Sequence, residues 1–74
     1  MNNIHPTAII EDGARLGDNV TVGPFCYVGP QVVLDDGVTL ISHVWVGGDT
    51  TVGENTEISP FAVIGGKNQD LKDK

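Results

Sequence analysis

Beginning at Ile4 and stepping by six, the chain places an aliphatic residue at every stop: Ile10, Leu16, Val22, Val28, Leu34, Leu40, Val46, Val52, Ile58 and Ile64. A helix would repeat its apolar residues near every 3.6 positions and a single strand every second position. A period of six fits neither alone, but it fits short strands joined by tight turns and wound into a coil. Two residues before each later stop sits something small or β-branched: Ala8, Ala14, Val20, Cys26, Val32, Val38, Val44, Thr50, Thr56 and Ala62. Side chains two apart on a strand point the same way, so both sets point inward and build a stacked core. Gly17, Gly23, Gly29, Gly47, Gly53 and Gly65 follow the aliphatic stops. These glycines serve corners where φ is positive or space is tight.

A second period sets the size of a coil. Pro6, Pro24 and Pro60 are spaced by multiples of eighteen, with Ser42 in the remaining slot. Three hexapeptides therefore close one turn, and the cross-section is a triangle. Reading outward positions at this spacing gives a column Ile9, Tyr27, Trp45, Val63 beside a column Thr7, Phe25, His43, Phe61. The other two faces are polar or mixed; one carries Arg15, Val33, Thr51 and Gln69, the other Thr21, Thr39 and Glu57. One outer face thus gathers most of the aromatic residues.

Seventy-four residues allow one domain, with a limited core that gains from a partner. A single cysteine excludes an intrachain disulfide, and Cys26, in an inward slot, reads as a small buried hydrophobe. A net charge of −6 argues against a nucleic-acid backbone as partner. No run approaches the roughly 20 apolar residues of a membrane span, and Met1 to Pro6 shows no secretory signal. A cytoplasmic location follows as the default. The organisation reads as a polar lead-in over 1–3, a parallel β-helix over 4–69 and a charged tail over 70–74, where Asp70 breaks the aliphatic period.

The strings IHPTAIIEDGARLGDNVTVGPFCYVGP, SHVWVGG, PFAVIGG and NQDLK carry a resemblance. The chain resembles, over essentially its whole length, the N-terminal part of the bacterial UDP-N-acetylglucosamine acyltransferase family of lipid A synthesis, within the hexapeptide-repeat acyltransferases. The resemblance implies an all-β fold: a left-handed parallel β-helix, three repeats per triangular coil and about three and a half coils in this chain. Handedness comes from the resemblance, since strand crossovers are ordinarily right-handed. It also implies transfer of a 3-hydroxyacyl chain from acyl carrier protein to the sugar 3-hydroxyl of UDP-N-acetylglucosamine. The family's members are trimers with active sites between subunits, and their general base is a histidine in later coils. By resemblance Asp70 and Lys72, with Gln69 nearby, contact the sugar nucleotide. Two departures stand out: Asp73 where the family has Tyr, and Trp45 where it has a smaller aliphatic residue.

The remaining candidates have plainer readings. His43 lies between Phe25 and Phe61 in its column and reads as an interface residue rather than a base or metal ligand. His5 reads as solvated, and no Cys or acidic residue completes a metal-ligand spacing. Asp35, Asp36, Glu54 and Glu57 read as surface carboxylates. No catalytic residue, metal or cofactor is expected within this chain. The expectation is an acyltransferase fragment inactive alone, with an engineered self-assembling trimeric scaffold as the alternative. In either case the chain joins copies of itself through Ile9, Phe25, Tyr27, His43, Trp45, Phe61 and Val63.

Overall fold

The computed structural model of the chain describes residues 1–65. They form eleven two-residue strands: β1 (Asn3–Ile4), β2 (Ile9–Ile10), β3 (Arg15–Leu16), β4 (Thr21–Val22), β5 (Tyr27–Val28), β6 (Val33–Leu34), β7 (Thr39–Leu40), β8 (Trp45–Val46), β9 (Thr51–Val52), β10 (Glu57–Ile58) and β11 (Val63–Ile64). Each strand ends on one of the aliphatic stops, so the period of six is one strand and one corner. Every third strand returns to the same side. The three resulting sheets have the orders β1-β4-β7-β10, β2-β5-β8-β11 and β3-β6-β9, all parallel. The chain is a left-handed parallel β-helix with a triangular section.

The register is constant. Thr21 pairs with Thr39 and Val22 with Leu40, as Tyr27 pairs with Trp45 and Val28 with Val46. Backbone bonds between coils hold it, for example from the His5 N–H to the Val22 carbonyl at 2.8 Å and from the Gly23 N–H to the Leu40 carbonyl at 2.8 Å. The polar lead-in takes part: Asn3 opens β1, and the Asn2 side-chain oxygen accepts the Val20 N–H at 3.0 Å. Residues 66–74, with the end of the expected coil and the charged tail, lie outside the described residues.

The inward slots form one core. Val20, Val22, Cys26, Val28, Val32, Leu34, Val38, Leu40, Val44 and Val46 are at most 2% exposed, and among the described residues no polar side chain is buried with them. In the first coil the same slots are more open: Ile4 is 38% exposed and Ile10 and Leu16 are half-buried. These residues have a stacked neighbour on one side only, so the core tapers at that end. Flat apolar layers without buried polar groups suit short strands whose backbone bonds are all made to adjacent coils.

The corners explain two of the glycines. A methyl on Gly23 would meet the Ile41 carbonyl oxygen of the next coil, and one on Gly47 would meet the Trp45 indole. Gly23 is needed for close approach to backbone, whereas the contact at Gly47 is with the far end of the Trp45 side chain; neither has a positive φ. Positive φ falls elsewhere, on Asn19, Phe25, His43, Asn55 and Phe61 among the non-glycine residues.

Candidate functional site

The face built on β2, β5, β8 and β11 is the most distinctive surface of the coil. Its strands put Ile9, Tyr27, Trp45 and Val63 outward in direct register. The preceding corner adds Thr7, Phe25, His43 and Phe61. Pro24, Ser42 and Pro60 stand first in their turns, and the residues after them have φ of 59°, 51° and 66°. A proline followed by positive φ is the pattern of a type II turn, where glycine or asparagine is usual. Bulky side chains in that region are strained. Here the strained residues are Phe25, His43 and Phe61, stacked at the same corner of three successive coils. The chain accepts the strain and gains three outward rings where glycine would leave bare backbone.

The rings are ordered by each other and by the backbone. The His43 imidazole lies 5.1 Å from Phe25 and 4.9 Å from Phe61, centroid to centroid. The Tyr27 and Trp45 rings stack at 5.6 Å with planes 14° apart. His43 donates its N–H to the Pro24 carbonyl, and Phe61 donates its own to the His43 carbonyl, each at 3.0 Å. At the foot of the column the Phe25 N–H donates to Thr7 Oγ1 at 3.0 Å, and the Thr7 N–H donates to His5 Nδ1 at 3.1 Å. His5 is thus exposed but engaged. Partial burial, and then the nearby Glu11 carboxylate with its hydrogen bond, push the Tyr27 phenol above its ordinary value.

Despite this ordering the face is open. Phe61 is 78% exposed, Val63 70%, Phe25 61% and Ile9 57%. Soluble chains seldom leave so large a contiguous apolar stripe uncovered. All seven residues expected to join copies of the chain therefore lie together on one side. The arrangement offers stacking and apolar contact. Neither His5 nor His43 is hydrogen-bonded to a carboxylate among the described residues, and no group of three or more His, Cys, Asp or Glu side chains there could hold a metal. Gln69, Asp70 and Lys72 lie outside the described residues.

The other expected surface groups fall where the pattern puts them. Asp36, Glu54 and Glu57 are exposed and Asp35 half-buried. Asp36 also accepts the Asp18 N–H at 2.8 Å, tying two coils at their corner. Beside Arg15, the acids Asp35, Asp36 and Glu54 line a shallow open groove with Leu16, Gly17 and Leu34. Sequence reasoning missed Glu11 at Tyr27. The signal was present, because Glu11, Gly29, Gly47 and Gly65 form an eighteen-residue column next to Ile9, Tyr27, Trp45 and Val63. Glycine there lets the Trp45 ring fold over the backbone, and in the first coil a carboxylate takes the place.

A family model, the bacterial transferase hexapeptide (six repeats), matches residues 13–48. The strict period and the coil itself agree with this match, and the chain is similar to the hexapeptide-repeat family. It is also similar to proteins named acyl-[acyl-carrier-protein]–UDP-N-acetylglucosamine O-acyltransferase. Those of Rickettsia prowazekii and Rickettsia canadensis are 59% and 58% identical over 71 residues, which is 96% of this chain and 27% of each relative. That of Bartonella bacilliformis is 54% identical over 71 residues, 96% of this chain and 26% of the relative. The chain thus spans about a quarter of the length of the curated relatives it matches. Among the described residues no helix is long and apolar enough to cross a membrane.

Proposed function

We propose that this chain supplies the first coils of a cytoplasmic acyltransferase that moves a 3-hydroxyacyl group from acyl carrier protein to the 3-hydroxyl of UDP-N-acetylglucosamine. We further propose that the described coils join three copies around a three-fold axis. The observation that carries the second half is the open aromatic face of β2, β5, β8 and β11 and its corner. A prism with one apolar side covers it by packing against copies of itself, and closed cyclic symmetry stops assembly at a finite size. The strained aromatic corners support this reading, because strain at Phe25, His43 and Phe61 is retained where the rings have a use beyond the single chain. The relatives' names support the reaction.

In that reaction the sugar hydroxyl attacks the thioester carbonyl. A general base takes its proton, and the carrier's thiol leaves. Histidine suits the base because it titrates near working pH. His43, held between two phenyl rings, and His5, engaged by Thr7, are poor candidates, so the base is assigned to coils outside those described. Gln69, Asp70 and Lys72 are proposed to hold the sugar nucleotide. A carboxylate accepts bonds from sugar hydroxyls, and an ammonium pairs with phosphate.

Light scattering on a dilution series tests the assembly. The chain should show the mass of three copies, and the double variant Tyr27→Glu, Trp45→Glu should fall to one. A folded, soluble parent monomer would overturn the joining role. Acyl transfer by the 74-residue chain alone should stay at background. Turnover that disappears in His43→Ala would make His43 the base.

A further inference from the structure

We propose that His43 makes the joining of copies sensitive to pH, so that its protonation drives them apart. The inference rests on the joining role given above. Its basis is a geometry that the joining role does not require: a titratable ring at the centre of a π-stack on an otherwise apolar face. His43 has Phe25 on one side and Phe61 on the other, at 5.1 and 4.9 Å, and its ring is exposed in the single chain. No charged side chain stands in the column itself. The titratable groups on the surrounding elements are His5, bonded through Thr7 at the foot, Tyr27 on β5 with Glu11 beside it, Glu57 on β10 and the buried Cys26 thiol next to Phe25. None of them is a carboxylate hydrogen-bonded to the imidazole.

Neutral, His43 completes a stack of three rings that a copy can cover. Protonated, it places a full charge in the same spot. In the separated chain water solvates the exposed edge of the imidazolium, and the two ring faces add a cation–π attraction. When copies join, the edge loses its water and meets no counter-charge. The ring faces were already present in the separated chain, so joining gains nothing from them and bears the desolvation of the ion. Protons therefore bind the separated chain more tightly. By linkage, proton binding must favour separation. The joined state is held above the histidine range and weakened as pH falls through it, and a three-fold assembly carries the effect at three sites. Histidine is the side chain whose ordinary charge change falls between pH 5 and 8, whereas carboxylates stay ionised over most of that window.

The experiment is light scattering on dilution series at about pH 8 and about pH 5.5, with circular dichroism confirming the coil at both. It uses the full chain and two variants, His43→Phe and His5→Asn. Phe25 and Phe61 already adopt the same positive φ, so phenylalanine fits the backbone at His43 and keeps the stack. Asparagine at His5 keeps an acceptor for Thr7 without the charge. For the parent and for His5→Asn, the concentration at which half the chains separate should rise about tenfold or more at the lower pH, a factor equivalent to one pK unit of differential proton binding. For His43→Phe it should stay within about twofold. A parent midpoint that does not move, or a His43→Phe midpoint that moves as far as the parent's, would overturn the switch and leave the joining role standing. A parent already monomeric at the higher pH would remove the joining role, and the switch with it.

Discussion

Leu16 and Leu34 are the same residue in the same column one coil apart, and the structure gives them different worth. They pair directly in register, on β3 and β6. Leu34 is 0% exposed with a coil on either side, whereas Leu16 is half-buried in the tapering first coil. Leu34→Ala removes apolar surface worth about 2 kcal/mol and leaves a closed void, so the total should be about 3–4 kcal/mol. At Leu16 only half that surface is lost and water fills the gap, so Leu16→Ala should cost about 1 kcal/mol. A chain of 74 residues has roughly 4–11 kcal/mol in all, so the first substitution removes a large share of the stability and the second a small one. Urea unfolding followed by the fluorescence of Trp45, the single tryptophan, reads this directly. With a slope of about 1 kcal/mol per molar, the midpoint should fall by about 3 M for Leu34→Ala and about 1 M for Leu16→Ala. Protein concentration must be held fixed, because association of copies raises apparent stability. Equal losses at the two sites would refute the reasoning, since the coils would then not support one another layer by layer.

Two further outcomes follow from the corners and the aromatic face. Gly23→Ala should lower the urea midpoint clearly, because its methyl meets backbone at Ile41, while Gly53→Ala, with nothing within 4 Å, should leave it unchanged or raise it slightly; equal destabilisation would show that the corners demand glycine for conformation rather than space. Because the folded state raises the Tyr27 phenol above its ordinary value of 10.0, the associated stability is complete below that pH and is lost as pH rises through the raised value. Absorbance titration of this single tyrosine should show late ionisation, and Glu11→Gln should bring it earlier without restoring the ordinary value, since burial is the larger cause. A midpoint untouched by that change would remove Glu11 from the account.

The coil was legible because its rule is local and repeated. A buried slot every sixth residue left few ways to be wrong about Val28 or Leu40, and both are fully buried. The openness of Ile4, Ile10 and Leu16 could not be read from the same pattern, since a repeat looks identical at the end of a stack and in its middle. The corners were harder. Glycine after the aliphatic stop suggested either positive φ or tight space; Gly23 shows tight space against backbone alone, whereas Gly65 takes a φ of 73°. Positive φ appears also at Phe25, His43 and Phe61, where residue type argues against it. Only the eighteen-residue spacing behind the prolines hinted that these corners share one conformation. The column of aromatic residues could be written down from the sequence. The stacking of His43 between two phenyl rings and the hydrogen bond from Thr7 to His5 depend on side-chain rotation, which no spacing encodes.

Because every strand pairs with the one eighteen residues away, the length of this chain is quantised. Removing eighteen residues, such as 31–48, would bring Tyr27 beside Val63 and Phe25 beside Phe61, with every inward residue still inward. Removing six would keep the inside inside but rotate all later residues onto the wrong side of the triangle, so the aromatic face would break in two. Removing one within a strand would turn the core outward. A lineage built on this coil can therefore lengthen or shorten only in whole storeys of about 4.8 Å. Between such jumps it varies what it displays, one outward column at a time.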